Sequence, residues 1–226
     1  MKNKLYGNIA IDGPAGAGKS TVARLLARRL GYLYIDTGAM YRALTWKALQ
    51  EGLDLADEQQ LISLAEATTI RLENGPAGSI AVYCDGEDVT AAIRQESVSN
   101  SVSLVARVPG VRRRLVELQR QIAACNRVVM DGRDIGTNVL PNAPHKFFLT
   151  ASLPERSRRR YNELTASGQQ VDLESIREEI RRRDALDTQR EVDPLRPAPG
   201  AVIIDTSTMA IEDVVARILT IIRGRD

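Results

Sequence analysis

Short apolar runs alternate along this chain with longer segments in which apolar residues recur at helical spacing. The short runs are typical of buried strands, and they occupy residues 9–11, 32–35, 127–130, 146–149 and 201–205. Strands that alternate with helices predict an α/β fold, in which helices cover both faces of a parallel sheet. Ligands of such folds bind at the carboxyl ends of the strands. The residues at these ends are mostly acidic or polar: Asp12, Asp36, Asp131 to Asp134, Thr150 and Asp205.

The segments of helical spacing carry recognisable end signals. Gly31 is a candidate C-cap for the first helix, and Thr37 is a candidate N-cap for the second. The predicted helices cover 22–30, 37–49, 57–67, 91–124 with a break at Pro109-Gly110, 152–167, 172–188 and 211–222.

Residues 69–89 depart from this pattern. Apolar and polar residues alternate there one by one, and the turn signals N-G-P-A-G and D-G interrupt them. This pattern predicts a small antiparallel sheet of two or three strands. Because it interrupts the strand–helix alternation, we interpret it as an inserted subdomain.

Composition disfavours several classes of protein. The 226 residues suit one α/β domain, or one domain with an insert, and 43% hydrophobic and 27% charged residues are ordinary for a globular protein. No apolar run has membrane-spanning length, and the first strand follows too early for a signal peptide, so we expect a cytoplasmic location. A net charge of +2 gives no general attraction for nucleic acid.

Histidine and cysteine are scarce. His145 is the single histidine, expected at a strand edge, and Cys84 and Cys125 are far apart in the sequence. A zinc site, a histidine-based triad or a structural disulfide is therefore not expected. The 26 arginines far outnumber the five lysines, and arginine suits bidentate recognition of phosphate.

The segment 8–30 carries the strongest motif. A short apolar run precedes G-P-A-G-A-G-K-S-T, and a helical pattern follows, which is the context expected of a P-loop. Glycines let the backbone curl closely around phosphates, so that amides at a helix N-terminus form an anion site. Lys19 is expected to reach the β- and γ-phosphates, and Ser20 to bind Mg²⁺. The predicted ATP-binding residues are Gly13, Pro14, Ala15, Gly16, Ala17, Gly18, Lys19, Ser20 and Thr21.

Two further patterns fit phosphoryl transfer, which needs charge neutralisation and positioning rather than covalent groups. The run R-V-V-M-D resembles a strand whose aspartate helps to hold Mg²⁺, with Asp131 and Asp134 as candidates and contact through water expected for Asp131. Two Arg-rich helices suit a mobile lid over the phosphates, although solvated helices with salt bridges would show the same pattern. Their arginines include Arg156, Arg158, Arg159, Arg160, Arg177, Arg181, Arg182 and Arg183.

Five motifs occur together in a family order and spacing: G-P-A-G-A-G-K-S-T, D-T-G-A-M-Y-R, D-G-E-D-V-T, D-G-R-D-I-G-T and R-R-R-D-A-L-D-T-Q-R. Over essentially its full length the chain resembles bacterial cytidylate kinases, which belong to the P-loop nucleoside monophosphate kinases. The resemblance implies a Mg²⁺-dependent transfer of phosphate from ATP to CMP and dCMP. It also implies one domain over 1–226, with a core (1–36, 91–150, 195–226), a monophosphate-binding region (37–90, insert about 69–90) and a lid (about 156–190).

The resemblance assigns roles residue by residue. Lys19, Arg133, Arg159 and Arg183 would be catalytic, with Arg158 and Arg160 as alternatives for the lid arginine Arg159. Ser20 and Asp131 would hold the metal. The implied substrate-binding residues are Thr37, Arg42, Ser103, Arg112, Arg133, Asp134, Arg183, Asp187 and Arg190.

Other readings of the P-loop remain. A small-molecule kinase for another monophosphate, or for a shikimate-like hydroxyl acceptor, would share the loop, but the shikimate type would lack the insert. A nucleotide-dependent switch would carry a guanine-reading N-K-x-D, and the sequence has none. Nothing in the sequence demands more than a monomer.

Overall fold

The computed structural model describes residues 6–75, 80–166 and 168–224. Its helices and strands follow in the order β1 (Ile9–Asp12), α1 (Lys19–Leu30), β2 (Leu33–Asp36), α2 (Thr37–Gln50), α3 (Glu58–Ala67), β3 (Ile70–Asn74), β4 (Ile80–Cys84), β5 (Glu87–Asp88), α4 (Glu96–Ala106), α5 (Pro109–Cys125), β6 (Val128–Gly132), β7 (His145–Thr150), α6 (Leu153–Ala166), α7 (Leu173–Gln189), β8 (Val202–Asp205) and α8 (Ile211–Ile222). A 3-10 turn (Ala92–Arg94) precedes α4, and a π-helical turn (Ile135–Val139) follows β6.

A parallel sheet of five strands runs through the centre in the order β2-β6-β1-β7-β8. Alternate residues of β1 face opposite sides: Ile9 and Ile11 pack with α1 and α8, while Ala10 packs with α5 and the π-helical turn. Because both faces are covered over the central strands, their middle residues are apolar, and the predicted parallel α/β fold is confirmed.

The predicted insert is a separate antiparallel sheet with strand order β3-β4-β5. It packs on α2 through Val82, Cys84 and Val89, which meet Ala39 and Ala43. The turn between β4 and β5 is the predicted D-G pair, and both of its residues have positive φ, 49° at Asp85 and 89° at Gly86. The N-G-P-A-G turn signal falls largely on 76–79, outside the described residues.

Two predictions about element ends are wrong. Thr37 is not the N-cap of α2, because the side chain of Asp36 accepts from the amide of Ala39 at 2.8 Å and takes that role. The break in 91–124 lies before Pro109 rather than at Pro109-Gly110. Proline lacks an amide hydrogen, and it fits the first turn of α5, where that donor has no helical partner.

The two Arg-rich helices, α6 and α7, pack against each other as a hairpin. Ile176 and Ile180 of α7 are buried, and the charged residues of the two helices range from exposed, as at Arg158 and Arg181, to buried, as at Arg156. Within 6–75, 80–166 and 168–224, every helix is too short or too polar to cross a membrane.

Candidate active site

The glycine loop follows β1 at the carboxyl edge of the sheet, and its backbone requires glycine at several positions, among them Gly13 and Gly18. Gly13 has φ 147°, and a Cβ there would lie 1.9 Å from the carbonyl oxygen of Leu149. Gly18 caps α1 at φ 86°, a left-handed conformation that glycine adopts without strain. The loop therefore closes tightly on β7 and directs the first amides of α1 toward the space above the sheet.

Lys19 is buried at the start of α1. Its ammonium donates to the carbonyl of Pro14 at 2.7 Å, so the side chain folds back along the loop. Burial and the nearby Arg133 hold the pKa of Lys19 well below its usual range, while Asp131 opposes this shift. A phosphate at this point would favour the charged lysine, because an anion stabilises the ammonium.

A hydroxyl–carboxylate group lies beside the loop. The Ser20 hydroxyl donates to Oδ2 of Asp131 at 2.9 Å, and the Tyr34 hydroxyl donates to Oδ1 at the same distance. Asp36 is the register partner of Asp131 on the neighbouring strand. Burial and the charge of Asp36 raise the pKa of Asp131, which indicates a site suited to a cation.

A second group forms around Asp134. Nη2 of Arg112 donates to Oδ2 of Asp134 at 2.5 Å, and Nη2 of Arg190 reaches Oδ1 at 3.4 Å. Asn138 contacts the same Oδ2 at 3.2 Å. Thus of the two candidates for Mg²⁺, Asp131 contacts the glycine-loop helix, while Asp134 lies among arginines.

Between these two groups lie Arg133 and Asp187, joined at 2.7 Å. Arg183 is close to both: burial and Arg133 lower the pKa of Arg183 to about 10, and Asp187 opposes them. The Nε atom of Arg183 has no hydrogen-bond partner among the described residues. This cluster brings excess positive charge next to Lys19.

The remaining predicted substrate residues surround this cluster. Ser103 and Arg183 line the same small cavity between α4 and α7. Arg42 pairs with Asp36 at 3.0 Å. The Thr37 hydroxyl donates to the backbone carbonyl of Asp131 at 2.7 Å, so here it serves the fold of β6.

The lid arginines divide into buried and exposed groups. Arg156 donates to the carbonyls of Ala15 and Ala151 and pairs with Asp184 at 2.7 Å. Nη2 of Arg159 donates to the carbonyl of Thr206 at 2.6 Å, in the turn after β8.

Four other arginines of the two helices instead pair with glutamates three residues away. These pairs are Arg158 with Glu155, Arg160 with Glu163, Arg177 with Glu174 and Arg181 with Glu178. For them the solvated-helix interpretation fits.

Several residues of the site had no predicted role. Asp12 accepts from the amides of Ile135 and Gly136, both at 2.7 Å, and so holds the π-helical turn after Asp134. Its place at a strand end was a usable signal. Asp193 had none, because it joins the Asp134 group only through contacts between distant segments, whereas Asn138 contacts Asp134 from four residues further along the chain.

The sheet order, the glycine loop and its buried lysine together define an α/β nucleotide-binding protein of the P-loop class. A solved structure of an uncharacterized protein from Eubacterium ventriosum shares this fold, with a TM-score of 0.52 at 14% identity over 96% of this chain and 98% of that chain.

Sequence comparison identifies the family within this class. The sequence profile of the cytidylate kinase family matches residues 9–224. A cytidylate kinase from Geobacillus thermodenitrificans is 58% identical over 96% of both chains. One from Bacillus licheniformis is 54% identical over 98% of this chain and 97% of its own. The chain belongs to the cytidylate kinase family.

Proposed function

We propose that this protein transfers the γ-phosphoryl group of ATP directly to CMP and dCMP, giving ADP with CDP or dCDP. The observation that carries this proposal is a largely buried charged cluster, Arg133, Arg183 and Asp187, which is close enough to the lysine of the glycine loop to shift its pKa. Donor and acceptor phosphates need such a shared positive region, because their charges repel until they are neutralised. Family membership supports both ATP as donor and a cytidine nucleotide as acceptor.

The chain offers binding and orientation rather than a covalent intermediate. Lys19 and the amides of the glycine loop would hold the donor phosphates, and Arg133 and Arg183 would hold the acceptor phosphate in line. Arg159 is kept as the proposed lid arginine, and its contacts with Thr206 and with the carbonyl of Gly16 in the glycine loop support this choice. An oxygen of the CMP or dCMP phosphate then attacks the γ-phosphorus of ATP. The bond between that phosphorus and the bridging oxygen of the β-phosphate breaks, and ADP leaves.

The residues near Ser20 fit Mg²⁺. The ion keeps several waters and takes few protein ligands, usually one or two oxygens beside substrate phosphates. Ser20 and the buried Asp131 offer such oxygens, and no group of three or more His, Cys, Asp or Glu in the described part of the chain forms a closed metal cage. When bound, the ion would neutralise charge on the phosphates.

The acceptor nucleoside would lie between Asp134 and Arg183. Cytosine presents an exocyclic amine, which Asp134 or the Ser103 hydroxyl can accept from, while Arg112 can donate to its ring acceptors. Asp187 and Arg190 would serve the sugar and phosphate, and Thr37 and Arg42 would bound the site on the α2 side. The division into core, monophosphate-binding region and lid is part of this proposal, as are a monomeric state and a cytoplasmic location.

An ADP-release assay with ATP and Mg²⁺ tests the function on CMP, dCMP, UMP, AMP and GMP in parallel. We expect strong turnover with CMP and dCMP and little with the purine nucleotides. Turnover with another monophosphate alone would support the kinase activity but would show that the acceptor is not CMP or dCMP. No turnover with any of them would contradict the proposal and favour a non-nucleotide acceptor.

A further inference from the structure

We propose that Asp193 is a specificity-determining residue, which keeps Asp134 available to the amine of a cytosine base and so favours CMP over UMP. The inference rests on the proposed function and extends it to a residue in the loop after α7. Asp193 itself need not touch the substrate. It acts by taking up hydrogen-bond donors that would otherwise turn to Asp134.

The donors around Asp134 are shared with Asp193. Nε of Arg112 lies 3.3 Å from Oδ2 of Asp193, while its Nη2 contacts Asp134. Asn138 donates to Asp193 at 2.8 Å but to Asp134 only at 3.2 Å. Nε of Arg190 donates to the backbone carbonyl of Asp193 at 2.6 Å, while its Nη2 reaches Oδ1 of Asp134 at 3.4 Å.

One oxygen of Asp134 is left with spare capacity by this arrangement. Oδ2 receives both Arg112 and Asn138, whereas Oδ1 has among the described residues only the 3.4 Å contact with Arg190. A carboxylate oxygen accepts two hydrogen bonds, so Oδ1 can take a ligand amine. The negative charges of Asp134 and Asp193 also balance the positive charges of Arg112 and Arg190. Asp134 is therefore bound less tightly by the guanidiniums than it would be if it were the single carboxylate there.

The backbone at Asp193 is unusual. Its φ is 50°, a left-handed conformation that is uncommon outside glycine, although asparagine and aspartate adopt it more readily than most residues. Strain of this kind persists where surrounding contacts impose it, and it is concentrated at functional sites. The next turn of the loop is held by the amide of Leu195, which donates to the carbonyl of Asp187 at 2.8 Å.

Cytosine and uracil differ at the position that this arrangement would read. The cytosine amine donates, whereas the corresponding uracil oxygen only accepts. With Asp193 present, Arg112 and Asn138 are occupied and Asp134 is open, which suits a donor. Without the carboxylate of Asp193, the guanidiniums of Arg112 and Arg190 share Asp134 as their one anion. Asp134 is then occupied, and the hydrogen-bond donors that Asp193 had bound face the base. That change weakens the binding of CMP and favours UMP relative to CMP.

The test compares wild type with Asp193→Asn and Asp193→Gly, both of which tolerate a positive φ. We measure kcat and KM for CMP and UMP, and the binding of each without ATP by calorimetry. The ratio of kcat/KM for CMP to that for UMP should fall by about tenfold, because a charged hydrogen-bond network is weakened. The loss should appear in KM for CMP, with KM for ATP unchanged.

Asp85→Asn is the matched control. Asp85 has nearly the same backbone, φ 49°, and pairs with one cation, Lys47, at 2.6 Å, but it lies in the small antiparallel sheet. Its replacement should leave the CMP to UMP ratio unchanged.

The outcomes separate this inference from the proposed function. Equal losses on CMP and UMP, or an unchanged ratio in both Asp193 variants, would overturn the inference and leave the kinase intact. A wild type that phosphorylates neither nucleotide would overturn the proposed function, and the ratio of the two binding affinities would then decide the role of Asp193.

Discussion

The guanidinium of Arg156 in α6 pairs with Asp184 in α7 at 2.7 Å and also donates to the carbonyl of Ala15 at 3.2 Å. One buried side chain thus joins both helices of the hairpin to the glycine loop. The contact is close on the other side too, because a Cβ on Gly16 would lie 2.9 Å from Cβ of Arg156. We therefore expect the position of the hairpin to affect the glycine loop through Arg156.

Replacing Arg156 with lysine should loosen this connection. An ammonium cannot serve Ala15, Ala151 and Asp184 together, so at least one buried acceptor loses its donor. We expect a loss of about 1–3 kcal/mol in the free energy of unfolding, faster hydrogen exchange in α7 and a higher KM for ATP. Arg158→Lys, on the exposed side of α6, is the control. Equal exchange of α7 in both variants would show that the Arg156 contacts carry no coupling.

Lys19→Ala should remove most turnover. The ammonium is the cation of the glycine loop, and loss of such a group from a preorganised site typically lowers kcat about a hundredfold or more. Steady-state kinetics measures this loss, and circular dichroism checks that the fold persists. Lys47→Ala, in the contact with Asp85, should keep turnover. Wild-type rates in the Lys19 variant would remove the glycine loop from the mechanism.

Gly13→Ala should abolish ATP binding or folding, because the added methyl group would lie 1.9 Å from the carbonyl oxygen of Leu149. Gly31→Ala provides the comparison: its φ is 68°, but nothing lies within 4 Å of the added atom. There we expect only the cost of the left-handed conformation, about 1 kcal/mol. Chemical denaturation and nucleotide titration of both variants measure the difference. Similar small losses of stability and nucleotide binding in both variants would mean that β7 moves to accommodate the methyl group at residue 13.

Asp12 should make stability depend on pH. Burial raises its pKa to about 6 from an ordinary value of 3.8, even though two backbone amides oppose the shift. Between these values the native protein holds a proton that the unfolded chain releases. Ionisation of Asp12 therefore lowers the free energy of unfolding as pH rises from about 4 to about 6, by about 3 kcal/mol.

Denaturation of wild type and Asp12→Asn at several pH values isolates this effect. The stability of wild type relative to the variant should decline across that window. Asp57→Asn should show the opposite sign, because the bonds to Gln60 hold the pKa of the exposed Asp57 below its usual range, and its contribution is lost as pH falls. A flat difference for Asp12 would mean that it titrates normally in the native state.

Local patterns in the sequence predicted most of the fold. Periodicity placed the five parallel strands, and α8 was predicted at 211–222, where the structure has it. Glycine spacing located the loop, since φ 147° at Gly13 and φ 86° at Gly18 are conformations of glycine alone in practice. These features depend on residues close together in the chain, so the sequence by itself determined them.

Only the tertiary structure decided which charged side chains meet. Arg156 and Arg158 are two residues apart in the same helix, yet one is buried against the glycine loop and the other pairs with Glu155 in solvent. Asp193 contacts Arg112 across 81 residues. The partners of long charged side chains depend on how distant segments pack and on the cost of desolvation. Neither produces a periodic pattern in the sequence. The same physics separated Asp131, beside Ser20, from Asp134, among the arginines.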